Sequence, residues 1–173
     1  MRDFRGDLIR AFQDAGFIYH SEVAIWKDPV VAMQRTKALG LLYKQIKKDS
    51  SMSRMGLPDY LMVFRKPGEN KVQIKNDVTN EEWIDWAQPV WLGIRETHTL
   101  NVRAARDDAD ERHICPLQLD VIERCLVLWS NKGDIVFSPF MGIGSEGFVA
   151  VEMGRRFVGV ELKASYYGQA EIG

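Results

Sequence analysis

Cys115 and Cys125 are the only two cysteines in 173 residues. That is too few for a disulfide framework or a four-cysteine metal site, so reduced thiols are expected. Of the three histidines, His20 and His98 have no partners at ligand spacing, and no metal centre is expected. No apolar run approaches the roughly 20 residues of a membrane span. The opening Met-Arg-Asp-Phe-Arg-Gly-Asp also lacks the apolar stretch of a secretory signal, so the expected location is cytoplasmic. A net charge of −1 excludes a generally basic nucleic-acid binder, and any contact with a polyanion must come from local clusters. Repeats and low-complexity tracts are absent, and a chain of this length with 46% hydrophobic residues fits one domain.

The informative part of the chain is residues 134–161. Ile135, Val136 and Phe137 form the short apolar run of a buried parallel strand. Gly142 and Gly144 then allow a sharp turn and a close backbone approach to a ligand. Ser145 and Glu146 suit the first turn of a helix running to about Met153, with Gly154 as its stop. A second buried strand, 157–160, ends at Glu161. In open α/β sheets ligands bind at the carboxyl ends of strands, and an acidic residue about 20 residues past the glycines accepts ribose hydroxyls. Gly142, Gly144 and Gly147 match a dinucleotide spacing formally, whereas Phe148 stands where a Walker loop needs lysine. The strand-loop-helix-strand layout predicts a nucleoside-cofactor site.

Elsewhere the pattern predicts a helix over 7–15, a strand over 17–26, a basic helix over 30–48, a strand over 60–64 and a turn over 66–70. A helix over 79–93 with a good capping signal would hold Trp83, Trp86 and Trp91 as a buried stripe. Cys125 reads as a small residue on a helix face.

These residues resemble a family: the amino-group DNA methyltransferases that use S-adenosylmethionine, of the phage and bacterial type, in the permuted order with the cofactor half at the C-terminus. The family's Asp-Pro-Phe-x-Gly-Ser-Gly-Thr loop is similar to Ser138-Pro139-Phe140-Met141-Gly142-Ile143-Gly144-Ser145. Its His-Pro-x-Gln-Lys-Pro segment and following Leu-Leu-Glu-Arg helix are similar to His113 through Gln118 and Val121-Ile122-Glu123-Arg124. Its Gly-x-Glu and tyrosine-bearing helix are similar to Gly159-Val160-Glu161 and Ser165-Tyr166-Tyr167. The resemblance implies an α/β, Rossmann-like methyltransferase fold with an incomplete sheet and helices on both faces. It also implies that Ser138, Phe140, Gly142, Gly144 and Ser145 line the methionine end of S-adenosylmethionine, that Glu161 holds the ribose, and that His113 closes the other side. Ser138 stands where the family has aspartate, which removes a charge near the cofactor's ammonium.

The family's Asp/Asn/Ser-Pro-Pro-aromatic tetrapeptide, which accepts the target amine and stacks on the extruded base, is absent. Leu57-Pro58-Asp59-Tyr60 has the composition in the wrong order. The resemblance therefore implies a C-terminal portion, residues 1–173 forming one partial domain that is inactive alone, with no catalytic residue assigned and either an N-terminal complement or self-association expected. Residues 30–112 would be an inserted DNA-recognition region and 113–173 the cofactor-binding half. Double-stranded DNA would be the partner, contacted by Arg35, Lys37, Arg65, Lys66, Arg103 and Arg106, with no membrane partner. Two other readings stay open: a non-catalytic DNA-binding or regulatory fragment that keeps the cofactor fold, and a nicotinamide-dependent oxidoreductase.

Overall fold

The computed structural model describes residues 3–76, 78–100 and 116–172. The chain divides into two compact units, residues 1–71 with 84–93, and residues 72–83 with 94–173.

The first unit is built on a three-stranded sheet in which β1 (Ile18–Ile25) lies between β2 (Asp59–Arg65) and β3 (Val90–Trp91). Helix α1 (Phe4–Asp14) is capped by the Asp3 carboxylate, which accepts from Gly6 N–H at 3.0 Å. Strand β1 (Ile18–Ile25) follows, as the apolar pattern predicts. The basic segment does not form one helix: it breaks into α2 (Pro29–Thr36), a 3₁₀ turn at Leu39–Leu41, α3 (Tyr43–Lys48) and a 3₁₀ turn at Ser50–Met52. The break has a local cause. The Thr36 hydroxyl donates back to Ala32 O at 2.7 Å, and Lys37 takes a left-handed conformation with φ 51° that ends the helix. Strand β2 (Asp59–Arg65) pairs antiparallel with β1, Ile18 opposite Arg65 and Ile25 opposite Asp59. Phe12 of α1 stacks on Phe64 of β2 at 4.7 Å and closes one side of this unit.

Helix α4 (Asn80–Trp86) opens on a reciprocal capping box, Glu82 N–H donating to the Thr79 hydroxyl at 3.2 Å and Thr79 N–H to the Glu82 carboxylate at 2.9 Å. It stops well short of residue 93. Gln88 precedes Pro89, which disfavours helical backbone, and Val90–Trp91 becomes β3, parallel to β1. The expected tryptophan stripe therefore does not form: Trp83 is 58% exposed, while Trp91 is fully buried and donates its indole N–H to Trp86 O at 2.9 Å.

The second unit holds α5 (Leu119–Trp129), β4 (Ile135–Ser138), α6 (Ser145–Glu152), β5 (Arg156–Gly159) and α7 (Ala164–Ile172). Strands β4 and β5 are parallel, Ile135 opposite Arg156 and Ser138 opposite Gly159, with α6 as the crossover. Alternation sorts their side chains. Val136 and Phe157 turn toward a core of Leu119, Ile122, Leu126, Val149 and Ala150 from α5 and α6. Ile135, Phe137 and Val158 on the opposite face remain more than half exposed. The third glycine of the motif serves this packing, because a Cβ on Gly147 would lie 2.8 Å from the Phe157 ring.

Candidate functional site

The loop between β4 and α6 is shaped by two left-handed glycines, Gly142 at φ 57° and Gly144 at φ 88°, a backbone region that residues with a Cβ rarely adopt. Met141 N–H donates to Val160 O and Val160 N–H to Ser138 O, both at 2.9 Å, so the loop and the end of β5 are laced together. Ser138 and Ser145 are buried. Gly144 rather than a side chain caps α6.

Glu161 joins the two strand ends. Its Oε2 accepts the Gly142 N–H and its Oε1 the Lys163 N–H, each at 2.8 Å. An ionised carboxylate offers about four lone-pair positions, so further donors such as sugar hydroxyls can still be received. The two segments that it joins carry the two most exposed large apolar side chains described in this unit, Phe140 at 87% and Leu162 at 98%. A carboxylate at the carboxyl ends of parallel strands, with uncovered apolar groups on the same two segments, matches a ligand with hydroxyls and a flat ring. Leu162 escaped the sequence reading, since a leucine after the acid carries no polar signal.

A cavity of about 710 Å³ lies beside this point, lined by Leu100, Met141, Gly144, Phe148, Phe157 and Tyr167 among others. It reaches the loop but not Phe140, Leu162 or Glu161. Its lining is mainly apolar, with Glu152, Tyr167, Gln169 and Glu171 supplying the polar groups, whereas Glu161 stands at the strand ends where open α/β sheets bind their ligands. Glu146, in the first turn of α6, faces a drier environment, and burial pushes its carboxyl up, partly offset by a backbone N–H.

A second constellation corrects the reading of His98 as partnerless. Asp120, buried at the start of α5, accepts from Arg95 N–H at 2.8 Å, from the Arg95 guanidinium at 2.5 and 3.0 Å, and is 2.7 Å from His98 Nδ1. Asp120 is 25 positions from Arg95 and 22 from His98 in sequence, which is why no spacing rule finds them. Burial alone would raise the Asp120 carboxyl; the Arg95 and His98 hydrogen bonds outweigh it and hold the group well below the usual carboxylate range. Glu123 is close enough that His98, Asp120 and Glu123 could share a cation, but the Arg95 guanidinium already covers the Asp120 oxygens, and the group does not fit a metal.

Asp120→Asn has a calculable pH signature. A carboxylate with a lowered folded pKa contributes stability that is full above its unfolded value of about 3.9 and is lost as pH falls through the folded value. The wild type is thus expected to exceed Asp120→Asn in urea midpoint at pH 7, with the gap narrowing only below about pH 4. A gap that stays constant from pH 7 to pH 3 would remove the charged clamp from the account.

The remaining predicted residues are scattered or undescribed. Lys37, Arg65 and Lys66 are exposed in the first unit, Arg65 donating to Gly68 O at 3.3 Å. Arg35 lies in α2, with its side chain outside the described part, and Arg103, Arg106, His113 and Cys115 lie outside the described residues. Asp59, from the misordered tetrapeptide, pairs with Lys27 at 2.5 Å, and the Arg5 guanidinium sits 4.8 Å from the Tyr60 ring centroid. Cys125 lies on α5, as expected, and burial pushes its thiol up to about 12.

The glycine loop, crossover helix and terminal carboxylate define a Rossmann-like α/β cofactor fold. Residues 4–171 match the N6/N4 DNA methylase family, and the chain belongs to that family. It is 30% identical over 161 residues to the type II methyltransferase M.BglI of Bacillus subtilis, covering 92% of this chain and 39% of that protein. It is 43% identical over 60 residues to the type II methyltransferase M1.MboII of Moraxella bovis, covering 35% and 23%. The fold is similar to that of TTHA0409 of Thermus thermophilus, described as a putative DNA modification methylase and solved with S-adenosyl-L-methionine. That likeness has a TM-score of 0.69 at 20% identity over 98% of this chain and 58% of the other. The chain thus spans less than two thirds of the length of each of these proteins.

Proposed function

We propose that this chain carries the cofactor half of a site-specific DNA methyltransferase of the permuted order, acting on an exocyclic amine of adenine or cytosine. The observation that carries the reading is the Glu161 carboxylate, bonded to the Gly142 N–H where exposed Phe140 and Leu162 lie on the two joined segments. The methyl donor is S-adenosylmethionine, the compound with which the thermophilic structural relative was solved. When bound, it would supply an electrophilic methyl group that the amine nitrogen attacks in line, the carbon–sulfur bond breaking as the thioether leaves and the amine giving up a proton.

The residues of this chain bind and orient rather than react. Gly142 and Gly144 bring backbone, without a Cβ, against the ligand. Glu161 receives the ribose hydroxyls through its unused lone pairs, and Phe140 and Leu162 cover the flat apolar part. Ser138 and Ser145 lie beneath the methionine end, and His113 belongs to the same site by resemblance. Fixing the methyl in one direction is the main contribution such a site makes to a bimolecular transfer.

No Pro-Pro-aromatic tetrapeptide occurs in this sequence, so the acceptor contacts come from a complementing segment or polypeptide, and the chain by itself is inactive. The bared face of Ile135, Phe137 and Val158 is where such a complement would find apolar surface to cover. Duplex DNA is the substrate, with Arg35, Lys37, Arg65, Lys66, Arg103 and Arg106 as its phosphate contacts. Among the described residues no helix is long and apolar enough to cross a membrane.

The experiment is transfer of a radiolabelled methyl group to DNA. The purified chain alone is expected to bind S-adenosylmethionine and transfer nothing. Adding a polypeptide that bears the Pro-Pro-aromatic motif of a relative should start turnover. Transfer by the chain alone would overturn the division of labour, and tight binding of a nicotinamide dinucleotide in place of S-adenosylmethionine would overturn the function.

A further inference from the structure

Antiparallel neighbours can be joined by a turn of two residues, yet β1 and β2 are separated by residues 26–58. Connections beyond about 12 to 15 residues in compact proteins are mostly functional or disordered. This one is folded. Asp28 caps α2, accepting from Val30 N–H at 2.7 Å. Arg54 N–H donates to Gly40 O at 3.0 Å, where a Cβ on Gly40 would meet Arg54 Cγ at 2.9 Å and Met52 O at 3.2 Å.

What the excursion shows to solvent is unusual for a chain of net charge −1. Residues 36–57 hold five cations, Lys37, Lys44, Lys47, Lys48 and Arg54, against one carboxylate, Asp49. That carboxylate is exposed but engaged locally, accepting from the Ser51 N–H at 3.0 Å and the Ser51 hydroxyl at 2.6 Å. Interleaved with the cations are apolar groups held out in water: Tyr43 71%, Leu39 70% and Met55 79% exposed. The Lys47 ammonium lies 5.6 Å from the Tyr43 ring centroid, so the aromatic and a cation present together.

We propose that residues 36–57 form a duplex-DNA contact element, Lys44, Lys47 and Lys48 taking phosphates while Tyr43 and Met55 press on the sugars and base edges beside them. The charge complementarity selects a polyanion, and the exposed ring and thioether select one with apolar faces between its phosphates. The inference rests on the DNA substrate of the preceding section and goes beyond it by naming the element that meets the duplex.

The test uses fluorescence anisotropy with a random-sequence duplex over a range of salt concentrations. Lys44→Gln/Lys47→Gln/Lys48→Gln should weaken binding at least tenfold at low salt. It should also flatten the slope of log K against log salt by about 2 to 3, since each phosphate contact contributes about 0.9. Tyr43→Ala should weaken binding about tenfold with the slope unchanged. Both variants should keep the wild-type circular dichroism and S-adenosylmethionine affinity. A wild type that binds S-adenosylmethionine but no duplex overturns the DNA reading and this element with it. A wild type that binds duplex, with variants of equal affinity and slope, overturns this element alone. So does a variant whose only change, by sedimentation velocity, is loss of self-association, because the surface is then an interface between copies.

Discussion

Gly144→Val is expected to destabilise the second unit by about 3 kcal/mol and to abolish detectable S-adenosylmethionine binding. Two costs coincide at this position. The backbone sits at φ 88°, a region that costs an L residue roughly 1 to 3 kcal/mol and a β-branched one most. The new Cβ would also lie 2.9 Å from the Ala170 Cβ, so α7 must shift away from the loop. Either relief moves the Gly144 N–H from its bond to Met141 O at 3.0 Å and alters the turn that presents Gly142 to Glu161. Urea denaturation and equilibrium dialysis read the two effects separately. Gly133→Val is the control: its φ is 85°, but no atom comes within 4 Å of the added Cβ, so it should lose stability and keep the cofactor. Equal binding by Gly144→Val and wild type would refute the loop's place in the site.

Arg155→Met should cost about 3 kcal/mol through a different mechanism, the loss of partners for buried carbonyls. Arg155 is only 9% exposed, and its guanidinium donates to Leu126 O at 3.0 Å, Ser130 O at 2.9 Å, Met153 O at 2.8 Å and the Ser130 hydroxyl at 3.1 Å. These are groups at the carboxyl ends of α5 and α6, where a cation is favoured by the aligned peptide dipoles. Methionine fills similar volume but leaves carbonyls unpaired in a dry place, at about 1 to 3 kcal/mol for each buried group. Arg155→Lys should recover only part of the loss, since an ammonium cannot reproduce a planar fork. Urea midpoints of the three proteins provide the comparison, and an Arg155→Met midpoint equal to wild type would contradict it.

The parts of this fold that sequence revealed are those whose cause is local. Strands β4 and β5, the glycine turn and the stop of α6 near Gly154 each follow from a few adjacent residues, and Glu161 follows from its offset to the glycines. The 30–48 helix failed because apolar periodicity does not register a threonine bonding back to its own turn or a lysine in the left-handed region. The 79–93 helix failed because the segment up to Trp86 and the segment after Pro89 answer to different partners, the second pairing with β1. In sequence Arg155 is one of two arginines after Gly154, and only the convergence of two helix ends makes it structural. Asp120 with Arg95 and His98 was equally invisible, because its bonds cross more than 20 residues.

The central claim is that the Gly142–Gly144 loop and Glu161 form the S-adenosylmethionine site. Titration calorimetry of the wild type and Glu161→Ala with that ligand tests it most directly. The account predicts saturable binding by the wild type, competed by S-adenosylhomocysteine, and weaker binding by Glu161→Ala by about 1 to 3 kcal/mol, the cost of leaving buried polar partners unpaired. Equal affinity of the two folded proteins, or a folded wild type that gives no saturable heat, would contradict it.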